Sequence, residues 1–207
     1  MAERRFRGLI LDFVGVLTSN MVEVAELFEI RERLRPDTFL RAWADPAGQV
    51  LYRQLESGEI DQKAWNSDFG ALMGVDGEDL MRRLLYMMDP AHEVLQVVRE
   101  ARAAGVRTAV LSNSLGREPY DPYGPYELDE RFDVVVLSSE HGIRKPDSAI
   151  FELTLDRLGI TAESCVFADD SEVNLPPADA LGMTVIHALD EHETADELRR
   201  LLDLPPM

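Results

Sequence analysis

Gly8–Thr18 reads G-L-I-L-D-F-V-G-V-L-T, and how it is parsed decides the fold. Leu9–Leu11 is an uninterrupted apolar run without alternation, the pattern of a strand covered on both faces in a parallel sheet. Asp12 closes that run, and a loop opens at Gly15. A carboxylate at the C-terminal end of such a strand is costly to bury unless it is paired, metal-bound or chemically engaged. In open α/β sheets, ligands bind in the crevice beyond those strand ends. Taken alone, the stretch also allows Asp12 simply to cap a turn. Three later segments weigh against that.

Working outward, the 207 residues suffice for one domain with an insertion or for two small domains, and 45% apolar residues can fill a sizeable core. Asp and Glu total 39 against 21 Lys and Arg, a formal charge of −18. Such a surface repels nucleic-acid phosphates and anionic membranes, so neither is an expected partner. A single cysteine, Cys165, makes no intrachain disulfide and suits a reducing cytoplasm. Within S-C-V-F-A it reads as a small buried hydrophobe rather than a nucleophile. Met1–Arg7 is basic, but too few apolar residues follow it for a signal peptide or a membrane span.

Met21 to about Met88 carries helical spacing and no convincing strand. Val22, Leu27, Phe28 and Ile30 are expected to form an early apolar face, continued by Phe39, Leu40, Trp43, Val50, Leu51 and Leu55. Pro36, Pro46 with Gly48, Gly58, and Gly74 with Gly77 divide the stretch into four or five short helices. Asp61 is a candidate N-cap for a helix over Gln62–Phe69, and Asp76 a start for one ending near Met88. This is the pattern of a small helical bundle inserted after the first strand.

From Pro90 helix and strand alternate. The spacing predicts helices over Ala91–Ala104 (Val94, Leu95, Val97 and Val98 buried), Asp147–Leu158, Val173–Leu181 and Glu193–Leu202. Strands are predicted over Val106–Leu111, Phe132–Leu137, Cys165–Ala168 and Met183–Ile186, with a loop rich in Pro, Gly and Tyr at Gly116–Tyr126. The expected fold is α/β: a Rossmann-like, doubly wound parallel sheet with an inserted α-helical unit. Right-handed crossovers then bring every strand's C-terminal end to one edge.

That edge collects chemistry. Asp12 ends the first strand, Ser112 and Asn113 end the second, Lys145 follows the third in G-I-R-K-P-D, and Asp169 and Asp170 end the fourth. Clustered carboxylates repel one another and call for a cation. With no Cys or His in the cluster, the all-oxygen set suits Mg²⁺ far better than zinc. Mg²⁺, Lys145 and loop N–H groups together would offset the charge of a bound phosphate.

The blocks D-F-V-G-V-L-T, L-S-N-S, R-K-P-D and A-D-D-S-E-V-N stand in this order at strand ends. On them the chain resembles the haloacid dehalogenase-like hydrolase superfamily over essentially its whole length. L-E-S-G-E-I-D and R-K-P-D-S-A-I-F are similar to a bacterial helical-cap branch that includes sugar-phosphate phosphatases. The resemblance implies a core domain of residues 1–18 and 89–207, with 19–88 as the cap. It implies an Mg²⁺-dependent cytoplasmic phosphatase, monomeric or homodimeric, whose partner is a small phosphorylated metabolite. Asp12 would be the nucleophile, forming an aspartyl-phosphate. Ser112, the N–H of Asn113 and Gly15 would bind substrate, and Lys145 would neutralise nucleophile and phosphate together. Asp12, the backbone carbonyl of Val14, Asp169 and Asp170 would hold the metal, with Asn174 steadying its loop.

Val14 departs from the family pattern. Phosphatases of the superfamily usually carry there a second Asp that protonates the leaving group and activates water, which is worth about 10²–10⁴ in rate. Its absence allows a slow, phosphate-binding pseudoenzyme as the alternative to an active phosphatase. Leaving groups of low pKa, such as anomeric or aryl oxygens, need little protonation. Glu23, Glu140 and His141 lie near active loops but read as solvated. A dehalogenase would carry an aromatic residue at position 14 and lack the acidic pair. A phosphonate hydrolase would need Lys63 as a Schiff-base amine, although a lone helical lysine is usually solvated. Trp43, Tyr52, Trp65, Phe69 and Met87-Met88 read as bundle core. Tyr120, Tyr123 and Tyr126 read as packing of their loop more than as a rim of the site, and His92 and His187 have no assigned role.

Overall fold

The protein was analysed as a computed structural model that describes residues 5–205. Gly8–Leu11 forms β1, with every residue buried, at the centre of a five-stranded parallel sheet. Its companions are β2 (Arg107–Ser112), β3 (Val134–Leu137), β4 (Cys165–Asp169) and β5 (Thr184–His187), in the order β3-β2-β1-β4-β5. Leu11 pairs with Val110 on one side and Ala168 on the other. The pleat sends Leu9 and Leu11 to one face and Ile10 to the other. Leu9 and Leu11 pack with α6 (His92–Ala103) and α10 (Glu191–Leu201) through Val94, Val97, Val98, Ala195 and Leu198. Ile10 packs with α8 (Ser148–Leu158) and α9 (Leu175–Ala180) through Ile150, Phe151 and Ala178. Strand bounds shift by one or two residues from those expected, within the usual fraying of assignments.

Between β1 and α6 lie α1 (Met21–Glu32), α2 (Thr38–Ala44), α3 (Pro46–Glu56), α4 (Gln62–Met73) and α5 (Leu80–Leu85). They share a separate core of Phe28, Phe39, Tyr52, Trp65, Phe69, Leu80 and Leu84. Trp65 stacks on Phe69 at 4.6 Å between ring centroids, and Tyr52 meets both rings edge-on at 5.3 Å. The two connections to the sheet run side by side: Thr18 bridges Pro90, and the Ala91 N–H donates to the Leu17 carbonyl at 2.9 Å. Asp61 caps α4 as expected, accepting from the Ala64 N–H, but the helix runs on to Met73 before Gly74 turns it at φ +72°.

Several expectations fail for identifiable reasons. The buried side of α1 is Val24, Ala25 and Phe28, whereas Val22, Leu27 and Ile30 are exposed. At about 100° per residue those three fall on the opposite arc. Trp43 and Met87, expected in the bundle core, are 45% and 41% exposed, and Val50 is also exposed. The last bundle helix starts after Asp79 rather than Asp76, whose carboxylate instead turns the chain by accepting from the Glu78 N–H. Val173–Leu181 splits into a 3-10 turn, Glu172–Asn174, and α9, because Pro176 and Pro177 fit only a helix's first turn. A short α7, Leu128–Arg131, lies between β2 and β3. Four residues are too few to show a helical period.

Replacing Trp65 with Ala empties the centre of the three-ring cluster. Urea unfolding followed by circular dichroism is expected to show a loss of about 3–5 kcal/mol. A loss under about 1 kcal/mol would contradict this account of the bundle core.

Candidate functional site

β1, β2 and β4 are adjacent and parallel, so their C-terminal ends share one edge. Asp12 is the first residue past β1, where its N–H donates to the Ala168 carbonyl at 3.0 Å. Its Oδ1 accepts the Phe13 N–H at 2.7 Å. Lys145, from the loop between β3 and α8, is fully buried with Nζ 2.9 Å from Asp12 Oδ1 and 2.5 Å from Asp169 Oδ2. The other oxygen of Asp169 accepts from the Ser171 N–H and from Asn174 Nδ2, each at 2.9 Å. One carboxylate oxygen from each of Asp12, Asp169 and Asp170 falls within 4.8 Å of the others.

Two carboxylates thus bracket one buried ammonium, with the half-buried Asp170 beside them. Burial pushes the Asp12 carboxyl well above the usual range, Lys145 opposes this, and Asp169 and Asp170 add to it. Burial, reinforced by Asp169, pushes Asp170 up to about 6. Burial works against the charge of Lys145, but Asp12 and Asp169 outweigh it and hold the ammonium above its ordinary range. An all-oxygen donor set with surplus negative charge fits a hard divalent cation such as Mg²⁺.

Ser112 ends β2 and is 1% exposed. The Asn113 side chain grips the backbone of Lys145 in both directions, donating to its carbonyl at 3.1 Å and accepting its N–H at 2.9 Å. Gly15 has φ +80°, and a Cβ there would sit 2.4 Å from Asp170 Oδ2. The loop therefore needs glycine to approach the acidic pair. Val14 is half-buried and packs against both the sheet core and the bundle core. Tyr123 and Tyr126 pack on Phe13 at 4.7 and 4.9 Å, fixing the residue beside Asp12. Glu23, Glu140 and Lys63 are exposed, and His141 is half-buried. Cys165 is buried, and that burial pushes its thiol up to about 12, so it is not a nucleophile.

Contacts from the bundle were not foreseen. Gln62 is buried, donates to the Leu115 and Tyr120 carbonyls and accepts the Tyr120 N–H, all at 3.0 Å. Glu56 Oε2 lies 2.6 Å from Arg144 Nε, off the line of a hydrogen bond. Burial raises the Glu56 carboxyl, with Arg144 and then Lys145 opposing. The Ser138 hydroxyl donates to the Glu56 carbonyl and accepts the Ser114 N–H. The only sequence signal for these contacts is that Glu56 and Gly58 fall in L-E-S-G-E-I-D. A Cβ on Gly58 would lie 2.5 Å from the Ser139 carbonyl oxygen. His187, at the end of β5, has Nε2 3.0 Å from the Asp170 carbonyl.

A family model described as haloacid dehalogenase-like hydrolase matches residues 6–182. Mouse acyl-CoA dehydrogenase family member 10 is 31% identical over 98% of this chain, which spans only 20% of that protein's length. Glyceraldehyde 3-phosphate phosphatase of Methanocaldococcus jannaschii is 26% identical, covering 96% of each chain. The Bacteroides thetaiotaomicron enzyme bt-2542, solved in complex with magnesium and inorganic phosphate, superposes with a TM-score of 0.61. It is 19% identical, covers 87% of this chain and 93% of its own, and shares the fold.

Asp170 carries a folded-state pKa of about 6, above its unfolded value of about 3.9. In the metal-free protein its contribution to stability is therefore present at acidic pH and is lost as pH rises through about 6. A divalent cation needs the ionised form. Thermal unfolding with and without Mg²⁺ is expected to show a rise in Tm above about pH 6 that fades below it. A Tm shift of equal size at acidic and neutral pH would contradict this assignment.

Proposed function

Because the chain belongs to the haloacid dehalogenase-like hydrolase family, we propose that it hydrolyses small phosphate monoesters through a phosphoryl intermediate on Asp12. The observation that carries this reading is the buried Lys145 ammonium held between Asp12 and Asp169. It stabilises the ionised nucleophile in a site where burial alone would protonate it. Asp12 attacks phosphorus as the bond to the leaving oxygen breaks, and the electron pair departs on that oxygen. The Ser112 hydroxyl and the Asn113 N–H receive the transferring oxygens, while Asn113 holds Lys145 in place through its backbone. Water then attacks the aspartyl-phosphate and releases phosphate.

Asp12, Asp169 and Asp170, joined by the Val14 carbonyl, would hold Mg²⁺, with Asn174 bracing Asp169. Bound there, Mg²⁺ supplies the positive charge that a phosphate dianion needs among three carboxylates. Helices α1–α5 act as the cap. Asp12, Ser112 and Lys145 are at most 9% exposed, which supports entry of substrate through a shift of the bundle from the sheet edge. Sugar phosphates, the class suggested by the archaeal relative's name, and activated aryl phosphates are the substrates to try first. The acidic surface and the free cysteine suit a small metabolite in a reducing cytoplasm. Val14 favours a second reading, a phosphate-binding module whose adduct turns over slowly.

Phosphate release from aryl and sugar phosphates is expected with Mg²⁺ and not with chelator. Asp12→Asn is expected to abolish it, and Lys145→Met to reduce it by at least about 10²-fold. Undiminished release from Asp12→Asn would overturn the nucleophile assignment. A phosphoryl adduct that accumulates on intact protein, with little free phosphate, would favour the slow module.

A further inference from the structure

The end of α3 presses on both loops that frame Asp12. The Ser138 hydroxyl donates to the Glu56 carbonyl and accepts the Ser114 N–H at 2.8 Å, one residue past Asn113. Gly58 turns the chain at φ +73°, so close to the Ser139 carbonyl that a Cβ would not fit. Arg144, next to Lys145 in the chain, brings its Nε within 2.6 Å of Glu56 Oε2. The Glu56 backbone is thus tied through Ser138 to the loop after β2, and its carboxyl lies against the loop after β3. In an in-line displacement the leaving oxygen departs on the side away from the nucleophile. In the phosphatase reading, the bundle covers that side.

The Glu56 carboxyl has the surroundings of a proton donor. Its side chain is 15% exposed, and Oε2 is sealed from solvent with no hydrogen bond, as is the Arg144 Nε beside it. A purely structural ion pair at this distance would be aligned and charge-assisted. Instead burial outweighs the opposing charges of Arg144, Lys145 and Arg53 and raises the carboxyl, so that it keeps its proton to higher pH than a free glutamate. The same Lys145 ammonium that acts on Glu56 lies 2.9 Å from Asp12 Oδ1. Glu23 and Glu140 are exposed, and Asp169 is held by Lys145, Ser171 and Asn174. A shielded, unpaired carboxyl beside the phosphoryl-binding loops supplies what Val14 cannot.

Resting on the phosphatase reading, we propose that Glu56 is the catalytic acid: it protonates the leaving oxygen from the bundle side, and Arg144 receives the carboxylate that forms. Asp12 forms a P–O bond as the ester P–O bond breaks. The electron pair leaves on the ester oxygen, which takes the Glu56 proton and departs as a neutral alcohol. In the second step the Glu56 carboxylate takes a proton from water as that water adds to phosphorus. The aspartyl bond breaks with its electron pair returning to the Asp12 carboxylate, and phosphate leaves with Glu56 reprotonated.

The test compares kcat/KM for 4-nitrophenyl phosphate, whose leaving group needs little protonation, with 2-phenylethyl phosphate, an ester of similar size whose alkoxide does need it. In the unmodified protein with Mg²⁺ the two are expected to lie within about 10⁴-fold, the span that a positioned acid covers. Glu56→Gln keeps the size of the side chain and removes the proton. It is expected to widen the gap by at least about 10²-fold, because the alkyl ester depends on the donor far more than the aryl ester does. A merely structural role would slow both substrates alike, so a smaller widening, an equal loss on both, or no loss overturns the proposal. A gap wider than about 10⁴-fold in the unmodified protein overturns it even if Glu56→Gln does not fold. Failure of the unmodified protein to hydrolyse even 4-nitrophenyl phosphate overturns the phosphatase reading beneath it.

Discussion

One buried ammonium shared by two carboxylates constrains the whole sheet edge. Taking Lys145 out of water costs several kcal/mol, and only close, hydrogen-bonded partners can offset it. Those partners exist because β1 and β4 are neighbours in register. Leu11 pairs with Ala168, so Asp12 and Asp169 are the next residues along adjacent parallel strands. Strands about 4.8 Å apart deliver two carboxylates on one face with a gap that an ammonium can bridge. Any connection that separated β1 from β4 would leave the buried Lys145 with at most one of its two counter-charges.

The loops around the edge are built to hold that arrangement. Asn113 ties the end of β2 to the lysine backbone, so groups from two crossovers move together. The pair of tyrosines on Phe13 removes freedom from the segment that carries Asp12. On the bundle side, Gln62 and Glu56 reach the loops after β2 and β3, the first starting next to Ser112 and the second carrying Lys145. The position of the helical bundle and the geometry of the groups at the sheet edge are therefore mechanically linked through a few polar contacts rather than through the sheet.

The sheet and the convergence of Asp12, Ser112, Lys145, Asp169 and Asp170 were legible because strand ends are fixed by topology. Once the crossovers are right-handed and parallel, a residue that ends a strand has one place to go. The bundle was less legible. Val22, Leu27 and Ile30 are as apolar as Val24 and Phe28, and composition alone does not say which arc of α1 is covered. Gln62 and Tyr120 are 58 residues apart, and a glutamine that satisfies backbone groups leaves no periodic trace. Asp76 and Asp79 are both acceptable start signals, separated only by where the chain turns.

Val14 joins the two halves of this account. In the pattern the sequence resembles, the residue two past Asp12 is a second carboxyl. Here it carries apolar contact between sheet and bundle. The same side chain therefore helps hold the bundle against the sheet edge by burying hydrocarbon. The charge balance works in the same direction. Three carboxylates against one ammonium repel an incoming phosphate dianion, so substrate and cation binding are linked. With three carboxylates against one ammonium, the edge is short of positive charge, and a hard divalent cation fits that shortfall.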